Sequence, residues 1–303
     1  MNKKLTVTVV ISAFNEEKKI AECIESVKFA DEIIVINNSS TDRTEEVAKK
    51  HGATVITKDN NLMLNVNKNF GFTKATGEWI LNLDADERAT PELAAEIQKI
   101  VNQEDAVEGY YIPRKNIIFG KFIEHTGWYP DYQLRLFKNG KGKFAEEHVH
   151  EMITVTGETK KLESPMVHFN YETISQFVSK TMFIYAPNEA DQLIKNGYKL
   201  SWRDCIAFPM KEFLSRFFAR QGYRDGFHGL ILSLLMSFYH LVVFASIWEK
   251  EKFPKFENVN ILSETEIDFK KSQKEFSYWY THEKIQNSKN ALVKLRHKIK
   301  GIF

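Results

Sequence analysis

Cysteine is nearly missing from this sequence: its 303 residues hold two, Cys23 and Cys205. Two cysteines cannot staple a small secreted fold, and neither has partners at zinc-site spacing, so a disulfide framework and a structural zinc knot are excluded. A reducing cytosol is the expected compartment. An excess of one charge is missing too, since 42 Lys and Arg stand against 40 Asp and Glu. The positive charge is gathered at the end, in Lys284, Lys289, Lys294, Arg296, Lys298 and Lys300, rather than interleaved with aromatics over the body. No nucleic-acid partner is expected. There are no repeats and no low-complexity linker. The apolar start "LTVTVVISAF" runs into Asn15, Glu16 and Glu17 without a small-residue cleavage site, and so reads as a buried first strand.

What is present is an ordinary globular balance, 43% hydrophobic and 27% charged, enough for a large core. "TVTVVISAF" has strand character, "EKKIAECIESVKFA" puts Ile20, Cys23, Ile24 and Val27 on one helical face, and "DEIIVINN" is the next strand. "STDRTEEVAKKHG" starts with capping residues and stops at glycine, and "ATVITKD" follows as a third strand. "VNKNFGFTKATG" reads as helix, "EWILNLDAD" as strand, and "TPELAAEIQKIVNQ" as a helix with Thr90 as N-cap and Pro91 in its first position. This alternation predicts a doubly wound α/β sheet. Beyond residue 107 the strand-like pieces "GYYIPRKNIIF", "YQLRLFK", "EMITVTG" and "PMVHF" are expected to add antiparallel or mixed strands to the same sheet. From about residue 173 the chain is helical and aromatic-rich. The expected organisation is a catalytic domain over 1–172, divided into halves 1–107 and 108–172, and a helical region over 173–303.

The segment "LNLDADER" crowds Asp84, Asp86 and Glu87 at the end of an apolar strand. Open α/β sheets bind ligands at the carboxyl ends of their strands. Two carboxylates at i and i+2 there can approach one hard cation that keeps positions open for phosphate. The bland alternative is a solvated turn in which Glu87 pairs with Arg88.

Taken in order, "VVISAFNEE", "IIVINNSSTDRT" and "ATGEWILNLDADE" resemble the family 2 glycosyltransferases of GT-A fold. "GWYPDYQLRLF" and "EEHVHE" are similar to the subgroup that includes lipopolysaccharide core β-glucosyltransferases. The resemblance covers residues 5 to about 170, and the rest only through "RQGYRDGFHG". It implies a nucleotide-sugar site built by Ala13, Asn15 and Glu16 of the first turn with Asn37, Asp84 and Ala85, and a divalent ion, Mn²⁺ or Mg²⁺, on Asp86. Asn37 stands where the family places an acidic residue that reads uracil; an amide oxygen can still accept from the ring N–H, without the charge.

Transfer of a sugar needs the departing diphosphate neutralised and the acceptor hydroxyl deprotonated. Lys68 either approaches the phosphates or is an exposed helical lysine. Asp131 is the favoured base, expected to be partly buried with a raised pKa, against the reading of a turn aspartate after Pro130. Glu151 is the competing base. Arg135 is a carboxylate or phosphate clamp, or the partner of Asp131. His168 and His150, beside His148, are candidate further metal ligands or hydrogen-bonded core histidines. Trp128 and Tyr129 stack on a sugar or belong to the core.

The run "LILSLLMSFYHLVVFASIW", residues 230–248, is interrupted by serines, Tyr239 and His240 and flanked by cations on both sides, which favours an in-plane or buried helix over a spanning one. "ALVKLRHKIKGIF" is a basic amphipathic helix, or alternatively a solvated end or an oligomer contact. The expectation is a metal-dependent inverting glycosyltransferase at the inner face of the cytoplasmic membrane, with a lipid-linked saccharide acceptor. Its rivals are a nucleotidyltransferase, disfavoured because "SAFNEEKK" offers no glycine-rich phosphate loop, and a degenerate membrane scaffold of the same fold.

Overall fold

The computed structural model of the protein describes residues 6–59, 64–146, 151–257 and 260–288. His148, His150 and the basic tail from Lys289 onward lie outside them. The elements run β1 (Val7–Ala13), α1 (Ile20–Ser26), β2 (Glu32–Asn37), α2 (Thr44–Lys50), β3 (Thr54–Thr57), α3 (Leu64–Lys74), β4 (Trp79–Asp84), β5 (Glu87–Ala89), α4 (Pro91–Ile100) and β6 (Gly109–Ile118). Then follow β7 (Lys121–Phe122), β8 (Asp131–Lys138), β9 (Gly142–Lys143), β10 (Thr154–Val155), β11 (Thr159–Lys161), β12 (Met166–Tyr171) and the helices α5 (Ile174–Lys180), α6 (Ala186–Lys195), α7 (Asp204–Leu214), α8 (Phe227–Lys250) and α9 (Ile261–Gln286). Two compact units result, Met1–Ile118 with Tyr129–Asn170, and Phe119–Trp128 with Tyr171–Phe303.

The first unit is a mixed sheet in the order β3-β2-β1-β4-β8-β6-β12-β5. The run β3, β2, β1, β4 is parallel, while β8 is antiparallel to both β4 and β6. A parallel strand covered on both faces needs apolar side chains on both, and "VTVVISA" of β1 is buried throughout. Its alternate residues divide between two cores. Val9 and Ile11 join Leu81 and Leu83 of β4 against Ile20, Cys23 and Ile24 of α1 and Leu93 and Ile97 of α4. Val10 joins Ile34, Ile36 and Ile80 against Phe72 of α3, Phe137 and Phe144. Gly71 lets α3 settle on that second face, because a Cβ there would come within 2.6 Å of Val10 and 2.9 Å of Ile36. Thr90 caps α4 through the Leu93 N–H. The expected fold is therefore observed, with one correction: "EMITVTG" adds no strand to the main sheet. Only Thr154–Val155 are extended, paired with β9 as a separate ribbon, and Gly157 at φ +132° turns the chain away.

The second unit is helical. In α8 the residues that interrupt the apolar run turn inward: Ser237 donates to the Pro209 carbonyl of α7, Tyr239 donates to Glu189 of α6, and His240 faces Glu212 of α7 at 3.8 Å. The opposite stripe, Phe227, Leu234, Phe238, Leu241 and Trp248, is exposed. The helix is long and apolar enough to cross a membrane, with 33% of its most apolar window buried within the protein. "GYRDGFHG" is a packing device. Gly229 lies so close to Gly222 that a Cβ would meet its carbonyl oxygen at 1.8 Å, and the buried Asp225 carboxylate accepts the backbone N–H groups of Glu124 and His125.

Candidate functional site

The parallel run brings the carboxyl ends of β1, β2 and β4 to one edge, with Ala13 opposite Asn37 and Ser12 opposite Asp84. The turn after β1 and the loop after β2 are stitched together there. Asn15, at φ +54°, accepts the Thr41 N–H through Oδ1 at 2.8 Å, the Glu16 N–H donates to Thr44 Oγ1 at 2.8 Å, and the Glu17 N–H donates to Asp42. Below them lies a buried polar layer: Asn67 of α3 donates to Asn38 Oδ1 at 2.7 Å, and Asn38 donates to Ser12 and to the Ala13 carbonyl. Asn37 is turned to this scaffold. Its Oδ1 accepts the Ser40 N–H at 3.1 Å and its Nδ2 donates to Glu45 and Thr57.

The three carboxylates of "DADE" occupy different surroundings. Asp84 faces two cations, Lys68 Nζ at 2.5 Å and Arg135 Nη2 at 2.8 Å. Burial works against its ionised form, but these two cations outweigh it and hold the carboxyl far below the usual range. Lys68 is thus a buried partner of Asp84 rather than an exposed helical lysine. Glu87 is fully buried; one oxygen accepts from Arg135 at 2.6 Å and the other from the Asp84 N–H at 2.9 Å, with Arg114 3.5 Å away. The solvated turn with Glu87 paired to Arg88 is therefore corrected: Arg88 spends its guanidinium on the carbonyls of Ala85, Glu87 and Lys19. Ala85 is buried beneath the turn.

Asp86 is left facing an imidazole. His168, in β12 directly opposite Glu87, holds Nε2 at 3.7 Å from Asp86 Oδ2, and the Phe169 N–H fixes the Asp86 carbonyl at 2.9 Å. Burial pushes the Asp86 carboxyl up, and Asp84 adds to that; the His168 imidazole and Lys19 prevail and keep it below the usual range. At 3.7 Å the pair is too far apart for a good hydrogen bond. Two ligands about 2.1 Å from one ion stand about 3.0–3.4 Å apart, so a carboxylate oxygen and a ring nitrogen facing each other at 3.7 Å could share one divalent cation after closing by a few tenths of an ångström. Among the described residues no group of three or more His, Cys, Asp or Glu forms a complete cage. These residues fit an ion whose remaining positions are filled by a ligand.

Asp131 is the first residue of β8, opposite Arg114 of β6. Its Oδ2 accepts from Arg114 Nη2 at 2.5 Å and from Asn116 Nδ2 at 3.4 Å, and its Oδ1 from Gln133 at 2.9 Å. The expected raised pKa is corrected. Burial does push the carboxyl up, but the Arg114 charge and these hydrogen bonds more than offset it and hold Asp131 below the usual range. Its ionic partner is Arg114, while Arg135 belongs to Asp84 and Glu87. Glu151 accepts the Glu146 N–H at 2.7 Å and lies 3.4 Å from Asn65 of α3. Trp128 falls in the helical unit, edge-on to Tyr171 and 5.9 Å from the Arg216 guanidinium, which is a packed rather than an open setting. The sequence reading missed Arg114 and Asn116. Their signal was the polar run Arg114, Lys115 and Asn116 inside an apolar strand, with Arg114 and Asn116 at alternate positions and so on one face.

Several known proteins are similar to this chain. Residues 8–154 match the family described as Glycosyl transferase family 2. A Rickettsia felis protein described as an uncharacterized glycosyltransferase is 31% identical over 281 residues, covering 87% of this chain and 98% of that protein. The lipopolysaccharide core biosynthesis glycosyltransferase LpsC of Rhizobium meliloti is 24% identical, covering 86% of this chain and 98% of LpsC. Among solved structures, the Pyrobaculum calidifontis mannosyltransferase PcManGT with GDP-Man and Mn²⁺ aligns over 92% of this chain and 84% of its own, at 12% identity and a TM-score of 0.45.

Proposed function

The chain belongs to glycosyl transferase family 2, and from that premise we propose that it moves a hexose or N-acetylhexosamine from a nucleotide-diphosphate donor, UDP first among them, to a lipid-linked saccharide with inversion. The likeness to LpsC supports a place in cell-surface glycan assembly, with lipopolysaccharide the leading case. The observation that carries the reading is the facing pair Asp86 and His168 at the carboxyl edge of β4, beside a turn and loop that are stitched into a rigid rim. A divalent ion on that pair would supply Lewis-acid neutralisation of the departing diphosphate.

The rest is work for the protein's own groups. Ala13, Asn15 and Glu16 shape the donor rim with Asp84 and Ala85, and Asn37 acts by bracing the loop after β2. Lys68 sits where it can shift some of its charge from Asp84 towards a phosphate. Asp131, kept ionised by Arg114, takes the acceptor hydroxyl proton late, once the new bond to the anomeric carbon has made that hydroxyl acidic. Glu151, which accepts the Glu146 N–H, is the alternative base. The exposed apolar stripe of α8 supports a peripheral position on the inner face of the cytoplasmic membrane.

Calorimetric titration of UDP-, GDP-, dTDP- and CMP-sugars, with Mn²⁺ and then with EDTA, tests the reading. One nucleotide should bind, only with metal, and Asp86→Ala should abolish that binding. Absence of binding under both conditions would favour the scaffold alternative.

A further inference from the structure

Asn116 is fully buried in β6 between two groups named above, and its two ends touch different partners. Its Oδ1 is 2.7 Å from His168 Nδ1, and its Nδ2 is 3.4 Å from Asp131 Oδ2. Which end is oxygen follows from chemistry. The Asp131 carboxylate is held ionised by Arg114 and can only accept, so the amide must turn its NH₂ towards it. The amide oxygen then faces His168 and can only accept in turn. Nδ1 must therefore carry a hydrogen. The neutral ring is left with its lone pair on Nε2, and Nε2 is the atom that looks at Asp86.

We propose that Asn116 is a positioning residue: it passes the polarity of Asp131 through its amide to His168, fixing the tautomer that offers Nε2 to a divalent ion shared with Asp86. The inference rests on reading Asp86 and His168 as the metal pair. Its physical basis is that a ligating imidazole is oriented and tuned through its other nitrogen. The carbonyl oxygen of a buried asparagine does this without adding charge, and a one-residue chain from Asp131 to His168 ties the group proposed to accept the proton to the group proposed to hold the ion.

The test uses the full chain and two readouts. Long-range ¹H–¹⁵N correlation of the histidine rings, in EDTA at about pH 9 where an ordinary imidazole is neutral, should find the His168 proton on Nδ1. Mn²⁺ titration followed by electron paramagnetic resonance should then give about 10- to 100-fold weaker binding for Asn116→Leu. Asn116→Asp can donate one carboxylic O–H to Asp131 and still accept from Nδ1, and should bind Mn²⁺ within about threefold of wild type. A wild-type proton on Nε2, or wild-type Mn²⁺ affinity in a folded Asn116→Leu protein, overturns the proposal. If the wild-type protein binds no Mn²⁺ while Nδ1 carries the proton, the metal pair is the failed premise and Asn116 stands as the residue that orients His168. The tautomer measurement needs no variant to fold.

Discussion

Replacing Glu87 with glutamine removes one charge from the middle of the carboxylate cluster and almost nothing else. Glutamine keeps the shape and one acceptor, so the Asp84 N–H now bound at 2.9 Å remains satisfied. What is lost is the charge beside Arg135 at 2.6 Å, where the glutamate side chain is 0% and the arginine side chain 7% exposed. Removing one partner of a buried pair costs about 3–5 kcal/mol, since the other charge is left behind. Arg135 still has Asp84 at 2.8 Å, so the lower end, about 3 kcal/mol, is expected. For a unit of this size that corresponds to a fall of roughly 6–12 °C in the melting temperature. Glu87→Ala also strands the Asp84 N–H and should lose about 1–3 kcal/mol more. Differential scanning calorimetry and guanidinium unfolding on the full chain read both. A Glu87→Gln protein within about 0.5 kcal/mol of wild type, no more than an ordinary surface substitution, would refute the account of Glu87 as the buried anchor of Arg135.

Asp131→Asn should lower turnover by about 10²- to 10⁴-fold and leave donor affinity within about twofold, read by steady-state kinetics beside calorimetry; equal loss of both would show that Asp131 serves donor binding. Because Arg114 helps hold Asp131 below the usual carboxylate range, the base is ionised from alkaline pH down past about 3.9, so kcat/KM should show no acid limb from it between about pH 5 and 7. An acid limb near neutrality that vanishes in Asp131→Asn would contradict this. Asp84 is likewise depressed, so its contribution to stability is complete above the unfolded value of about 3.9 and fades as pH falls through the lower folded value; the stability difference between wild type and Asp84→Asn, followed by unfolding from about pH 5 to 2, should shrink only below about pH 4. Replacing Leu234 and Phe238 of the exposed α8 stripe with serine should reduce binding to anionic liposomes in flotation assays, and unchanged binding would remove that stripe from any membrane role.

The parallel half of the sheet could be read from sequence because its signals are local. The buried run of β1, the helical face of Ile20, Cys23 and Ile24, and the Thr90 cap each depend on neighbours a few residues away. The carboxylate cluster was visible for the same reason. Its wiring was not, because each partner is distant in sequence: Lys68 comes from α3, Arg135 from β8, and His168 from β12. Register decides such pairings, and register is fixed by the whole sheet. Asp131 shows the limit most clearly. Sequence gave an aspartate after proline beside aromatics, from which a raised pKa followed, but the cross-strand neighbour Arg114 reverses the sign. Asn116 escaped notice because an asparagine inside a strand carries no chemistry until both of its neighbours are known.

The pairing of Asp86 with His168 at one ion can be observed directly. Crystals grown with Mn²⁺ and UDP, measured at a wavelength where manganese scatters anomalously, should give one peak bonded to Asp86 Oδ2 and His168 Nε2, with diphosphate oxygens completing its shell. A peak bonded to Asp84 instead, or to neither residue, would contradict it.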